Sequence, residues 1–287
     1  MKYNLRITVL IICFTFLYLD ALSAFSLQFA VPAMQSGLTK LRKWTPLVRY
    51  VETQCGFDIE LVIVKDHRRL AEGLSDKFYD VGFVNALWEE KLRQNRDIHS
   101  CARVEVNQKQ FFQTSLIVNK DSVIRNMADM HGDYLALIVP YESLGGFYIP
   151  LVLFQEQSIV PTEVFKQVVY SETYESILKG VAFGVVDVGA IASTVLQDPR
   201  LEPFSREIRV IETSERLPQW ALVGRNDLKS GMIDLFIKSL VEMKNSKEGQ
   251  ELLKAAGFSG FVYSSESTVQ ISHTYLLQIE QIDANSR

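Results

Sequence analysis

Short apolar runs alternate with helical patterns along most of the 287-residue chain. Residues 27–31, Ile59–Val64 and Val81–Val84 are nearly continuous apolar runs of strand length. Between them, Leu41, Trp44, Leu47, Val48 and Val51 recur at helical spacing, and Asp66 is placed to cap a helix running to about Leu74. A charged helix is predicted over 85–94, then two strands near 101–106 and 112–119. The second half repeats the theme. Strands are predicted at 134–139, 168–170 and 185–191, and helices open near Ser143 and Thr173. Two further helices, 229–245 and 247–256, precede what reads as a polar tail. This βαβα rhythm predicts α/β architecture with largely parallel sheets covered by helices.

One internal echo adds to that picture. Tyr79-Asp80-Val81-Gly82-Phe83 resembles Val186-Asp187-Val188-Gly189-Ala190, each at the passage from an amphipathic helix to a buried strand. Two lobes of like construction are the simplest physical reading.

The N-terminus departs from the alternation. Lys2 and Arg6 precede an uncharged run from Ile7 to Leu19, and Ala21-Leu22-Ser23 supplies small residues for cleavage. Residues 1–23 therefore read as a cleaved secretory signal peptide, which implies a periplasmic location. No later stretch is long and apolar enough to span a bilayer. Beyond the leader two cysteines remain, Cys55 and Cys101. Export permits a disulfide, and two separate buried thiols are the favoured reading. Hydrophobic residues make up 47% of the chain, ample for a buried core, and the length allows one large domain or two lobes. A net charge of −4 argues against nucleic-acid binding.

Motifs of catalysis are absent: no Gly-x-Ser-x-Gly elbow, His-Glu-x-x-His helix, phosphate-binding Walker loop or dinucleotide fingerprint occurs. The four histidines have no metal spacing, so neither a metal nor a cofactor is expected. His67-Arg68-Arg69 and Glu89-Glu90-Lys91 read as solvated helix faces. The positive candidate is Ser143-Leu144-Gly145-Gly146-Phe147, a strand-to-helix turn whose first N–H groups are free to meet an anion. A plain turn capped by Ser143 is the alternative.

Taken together, several segments resemble the phosphate/phosphite/phosphonate-type periplasmic binding proteins of ABC transporters. They are Tyr79–Phe83, Leu116–Asp121, Gly145–Pro150, Val181–Ala190, Pro218–Trp220, and Glu248–Gln250 with Gly257–Phe261. The resemblance covers about Phe29 to Val262. It implies a two-lobed clamshell of the type II periplasmic-binding-protein kind. One lobe would be 24–119 plus 213–287 and the other 120–212, with two hinge crossings near 115–122 and 210–220. It further implies a small-molecule ligand, a monomer with no activity of its own, and an ABC permease as partner. A membrane sensor kinase is the alternative partner.

The departures from the family pattern bear on the ligand. Of a run of hydroxyl residues only Ser143 remains, the usual pocket tyrosine is Phe112, a histidine is replaced by Tyr174 beside a retained Glu175, and a pocket aspartate by Ala192 before Ser193. The expected site places the ligand's polar end on the backbone of Ser143, Leu144, Gly145 and Gly146, faced by Asn85. Phe112, Tyr174, Glu175 and Ser193 line the remainder. Trp220 adds apolar surface, while Phe147 reads better as core. A carboxylate at Glu175 facing the cleft would require a cationic group on the ligand.

Overall fold

The computed structural model describes residues 26–33, 37–141, 143–228, 231–265 and 270–284. The segment read as a signal peptide lies outside the described residues. Strands β1 (Leu27–Pro32), β2 (Ile59–Val64), β3 (Val81–Val84), β4 (Ile98–Glu105), β12 (Ala221–Arg225) and β13 (Gly260–Tyr263) form one sheet, ordered β2-β1-β3-β12-β4-β13. Strands β6 (Thr114–Asn119), β7 (Gly132–Ile138), β8 (Phe165–Ser171), β9 (Val188–Ala192) and β10 (Ile208–Thr213) form a second, ordered β8-β7-β9-β6-β10. The short strands β5 (Phe111–Phe112) and β11 (Leu217–Pro218) pair antiparallel with each other.

The helices are α1 (Gly37–Cys55), α2 (His67–Ser75), α3 (Ala86–Arg93), α4 (Ile149–Glu156), α5 (Tyr174–Ala182), α6 (Met232–Glu242), α7 (Lys247–Ala255) and α8 (His273–Ala284), with short turns between. Asp66 caps α2 by accepting the Arg69 N–H at 2.9 Å. Trp44, Leu47, Val48 and Val51 of α1 bury one stripe against the first sheet, with Phe29, Phe83 and Phe261.

The Asp-x-Gly echo has a physical cause in each sheet. Asp80, just before β3, accepts the Gln28 N–H at the start of β1 at 2.8 Å. Asp187, just before β9, accepts the Asp133 and Tyr134 N–H groups of β7, each at 2.8 Å. Each carboxylate thus ties the start of one parallel strand to its neighbour. The glycines admit the preceding helix. A Cβ on Gly82 would lie 2.6 Å from Leu70, and one on Gly189 2.6 Å from Ile177.

Four expectations are corrected. First, the sheets are mixed: β1-β2, β1-β3, β7-β8 and β7-β9 are parallel, whereas β12, β4, β13, β6 and β10 pair antiparallel. Strands β6 and β12 each follow a crossing from the other lobe, and each runs against the strands beside it. Second, β6 belongs to the second sheet, so the first lobe cannot extend to residue 119. The chain crosses between β4 and β6, at 106–113, and returns between β10 and β12, at 214–220.

Third, the chain does not end in a polar tail on the first lobe. Ile271 and, on helix α8, Tyr275 and Ile279 are buried with Val152 and Phe154 of α4, in the core of the second sheet. A third crossing therefore follows β13. Fourth, two supposed solvated faces are partly buried. His67 is 5% exposed, between Trp88 and Trp220, and Glu89 is 3% exposed, paired with Arg103.

Candidate functional site

The site grows out of helix starts that converge from both sheets. Asn85 caps α3, its Oδ1 accepting the Trp88 N–H at 3.1 Å. That bond fixes the amide's orientation and leaves the Nδ2 donors directed elsewhere. The Asn85 backbone N–H is spent on His67 Nε2 at 3.4 Å, so His67 is a neutral acceptor there. Burial pushes the imidazole down to about 3, with Lys40 adding in the same direction.

From the second lobe comes the turn preceding α4. Residues Leu144–Tyr148 form a π-helical turn, with the Phe147 and Tyr148 N–H groups both donating to the Ser143 carbonyl, at 3.1 and 3.3 Å. Ser143 Oγ accepts the Gly146 N–H at 3.0 Å and shares a 2.9 Å hydrogen bond with Tyr174 Oη. The Leu144 and Gly145 N–H groups precede the first intrahelical bonds and remain open. The Gly145 carbonyl accepts Thr114 Oγ1 at 2.7 Å, which pins the turn to β6.

These elements, with the β5–β11 crossing, enclose a cavity of 160 Å3 lined by Asn85, Phe112, Ser143, Leu144, Gly145 and Tyr174. Val106, Ala192, Thr194, Pro218, Gln219 and Trp220 complete the wall. Its described lining carries no charged side chain. Burial pushes Tyr174 up to about 12, against the opposing effect of its Ser143 bond, so the phenol keeps its proton near neutrality. The Ser143–Tyr174 pair holds two hydroxyl protons and uses one between them. Whichever group donates, one proton is left for a ligand. With Asn85 Nδ2, the Gln219 amide, Thr194 Oγ1 and two backbone N–H groups, the cavity can surround a small oxyanion with neutral donors. Two cations stand behind the wall: Lys40 Nζ lies 5.6 Å from the Trp220 ring centroid, and Arg103 Nη1 donates to the Gln219 carbonyl.

Six of the nine residues expected at the site line this cavity: Asn85, Phe112, Ser143, Leu144, Gly145 and Tyr174. Three do not. The Gly146 N–H is consumed by Ser143, and its Cα faces Ile138 and Tyr174. Glu175 is exposed and pairs with Lys179 one turn on, at 2.6 Å. One position further along α5 than Tyr174, it is rotated off the cavity face, and the case for a cationic ligand group falls with it. Ser193 Oγ donates to the Gln113 carbonyl at 2.6 Å, and Thr194 faces the cavity instead. Phe147 is core, 5% exposed.

Sequence reasoning missed Val106 and Thr194, and did not place Pro218 or Gln219 at the site. Gln219 is 6% exposed, its backbone held by Gln110 and Arg103, and only the β5–β11 crossing brings it to the wall. Cys55 and Cys101 are separate thiols outside the cavity, Cys101 pushed up to about 12 by burial. Among the described residues there is no cluster suited to a metal ion and no helix long and apolar enough to cross a membrane.

Comparison with known proteins matches this architecture. The family described as "ABC transporter, phosphonate, periplasmic substrate-binding protein" matches residues 29–269. The phosphonates-binding periplasmic protein of Escherichia coli (strain K12) is 23% identical over 248 residues, 84% of this chain and 73% of that protein. A binding-protein component of an ABC phosphonate transporter from Pseudomonas aeruginosa superposes with a TM-score of 0.65 at 20% identity, over 90% of this chain and 85% of that one. A Prochlorococcus marinus protein solved with methylphosphonate gives 0.68 at 13%, over 91% and 98%. A Xanthomonas citri protein bound to ATP gives 0.73 at 16%, over 91% and 99%. These likenesses establish the type II periplasmic-binding fold. By the match over most of its length, the chain belongs to the phosphonate-type periplasmic substrate-binding proteins of ABC transporters.

Proposed function

We propose that the cleft holds a small phosphonate- or phosphate-like oxyanion with a short apolar substituent and no amine, for delivery to an ABC permease. The observation that carries this reading is the cavity's lining: neutral donors from both lobes, aromatic walls at Phe112 and Trp220, and no carboxylate among the described residues. Hydrogen bonds to a charged group contribute about 1.5–3 kcal/mol each, so a few such donors suffice without a cation. An ammonium on the ligand would find no partner and would lose its hydration. The volume of 160 Å3 lies below the roughly 300 Å3 at which drug-sized pockets begin. Methylphosphonate fits this chemistry, and a nucleotide exceeds it.

The two sheets act as lobes of a clamshell, with 106–113 and 214–220 as the principal hinge strands. A ligand touched from both sides favours the closed form. The protein is read as a monomer that is exported, processed near Ala24 and without catalysis. A sensory role toward a membrane kinase has no observation in its favour.

The test is a thermal-shift and calorimetric series with methylphosphonate, phosphate, sulfate and 2-aminoethylphosphonate. Methylphosphonate is expected to bind more tightly than its amino-bearing relative, and the reverse order would overturn the reading. Ligand at a hundred times its Kd should add about 2.7 kcal/mol of stability. A Cβ on Gly145 would lie 2.5 Å from Phe112 Cε2. Gly145→Val therefore adds bulk to the cavity wall, displaces the Phe112 ring and should abolish binding in a folded protein.

A further inference from the structure

A second cavity, of 340 Å3, lies between the lobes on the far side of His67 from the first. Trp220 lines the first cavity, Trp88 the second, and the His67 ring packs between them, at 5.1 and 6.1 Å between centroids. The three rings stand between the two spaces, which share no lining residue.

The second compartment, unlike the first, is lined by charged side chains. Lys65, Arg68 and Lys91 converge on it from α2, α3 and the residues before them. None of the three has a carboxylate partner among the described residues, and Lys91 Nζ sits 4.9 Å above the Trp88 ring. The two carboxylates on the wall have other duties. Asp66 caps α2 through the Arg69 N–H, and Asp283 accepts the Tyr148 hydroxyl at 3.2 Å. The lining thus carries a positive excess in a chain whose net charge is −4. His67 is held neutral by burial and adds nothing to that excess.

The opposite wall is aromatic. Tyr141 is half exposed and held at φ 65°, a left-handed conformation that non-glycine residues adopt at a cost. Its ring packs edge-on against Phe147 and Tyr148, at 5.1 and 6.4 Å between centroids.

We propose that this groove is a second ligand site, for an organic phosphate or phosphonate dianion carrying a planar aromatic group. The dianion would sit among Lys65, Arg68 and Lys91, with the ring between Trp88 and Tyr141. Arginine and lysine are suited to phosphate as fork and point charge respectively, and the volume falls in the range of pockets that enclose whole organic molecules. Because Trp88 belongs to the first lobe and Tyr141 to the second, a ligand here bridges the lobes as one in the cleft does. The proposal is independent of what the cleft itself binds.

Calorimetry of the full chain with phenyl phosphate tests it. Phenyl phosphate is expected to bind, more weakly as salt rises. Lys65→Gln and Arg68→Gln should each weaken it by about tenfold, the loss of one charge-assisted contact. Both side chains are exposed, so these variants keep the fold. Tyr141→Ala should weaken phenyl phosphate while leaving any binding of inorganic phosphate at the groove unchanged. Gly145→Val, which blocks the cleft, should leave the groove's phenyl phosphate binding intact. Unaltered affinity in both cation variants, or loss of all phenyl phosphate binding in Gly145→Val, would overturn the proposal.

Discussion

Replacing Arg103 by methionine tests the most deeply buried charge among the described residues. Its side chain is 2% exposed and that of its partner Glu89 3%. Arg103 Nη2 meets both carboxylate oxygens of Glu89 at 2.8 Å, and Nη1 donates to the Gln219 carbonyl at 2.5 Å. Ser100 Oγ adds a 2.6 Å bond to Glu89, while Arg93 stands 4.0 Å away. In Arg103→Met the carboxylate keeps one hydroxyl and loses its counter-charge, and a buried carbonyl at the cleft wall loses its donor. Breaking a buried pair from one side costs about 3–5 kcal/mol.

Removing both charges, in Glu89→Leu with Arg103→Met, should recover most of that. It leaves mainly the orphaned Gln219 carbonyl, worth about 1–3 kcal/mol. Urea unfolding followed by tryptophan fluorescence reads both variants, and ligand titration reads the displaced Gln219. An Arg103→Met protein within about 1 kcal/mol of the parent would refute the reasoning. So would a double variant less stable than the single one.

Three further outcomes follow from the same structure. The folded His67 value, about 3, lies below the ordinary 6.5, so the unfolded chain takes up the proton first. Its contribution is full above pH 6.5 and is lost as pH falls toward 3, amounting to about 2 kcal/mol by pH 5. His67→Gln should flatten the stability difference between pH 7 and 5, and equal slopes in both proteins would contradict this. In Gly146→Ala the new Cβ would sit 2.3 Å from Ile138 Cγ1 and 2.8 Å from Tyr174 Cε1. A destabilisation of about 1–3 kcal/mol and weaker ligand binding are expected, measured by unfolding and calorimetry. Truncation before Ile271 uncovers the Phe154 side of α4. Losing Ile271, Tyr275 and Ile279 at about 1.5–3 kcal/mol each should unfold the second lobe at lower urea than the first.

Local chemistry was legible in the chain wherever one segment decides its own structure. The apolar runs at Ile59–Val64 and Val81–Val84, the Asp66 cap and the stripe of α1 need only the periodicity of their own residues. The Asp-x-Gly echo marked two equivalent units, because a carboxylate that caps a neighbouring strand and a glycine that admits a helix must recur wherever that unit is built. The Ser143–Gly146 turn stood out for the same local reason. What pairs with what was settled only in three dimensions. Strand β6 has the same apolar character in either sheet, and its membership is decided by antiparallel partners about seventy and ninety residues later in the chain. Glu89 and Arg103 carry no sequence mark of burial, since a charged residue is buried only when a partner arrives to compensate it, and His67 is buried, neutral, only because Trp88 and Trp220 close around it. Rotation about a helix axis, invisible until the helix is packed, turned Tyr174 into the cavity and Glu175 out to Lys179.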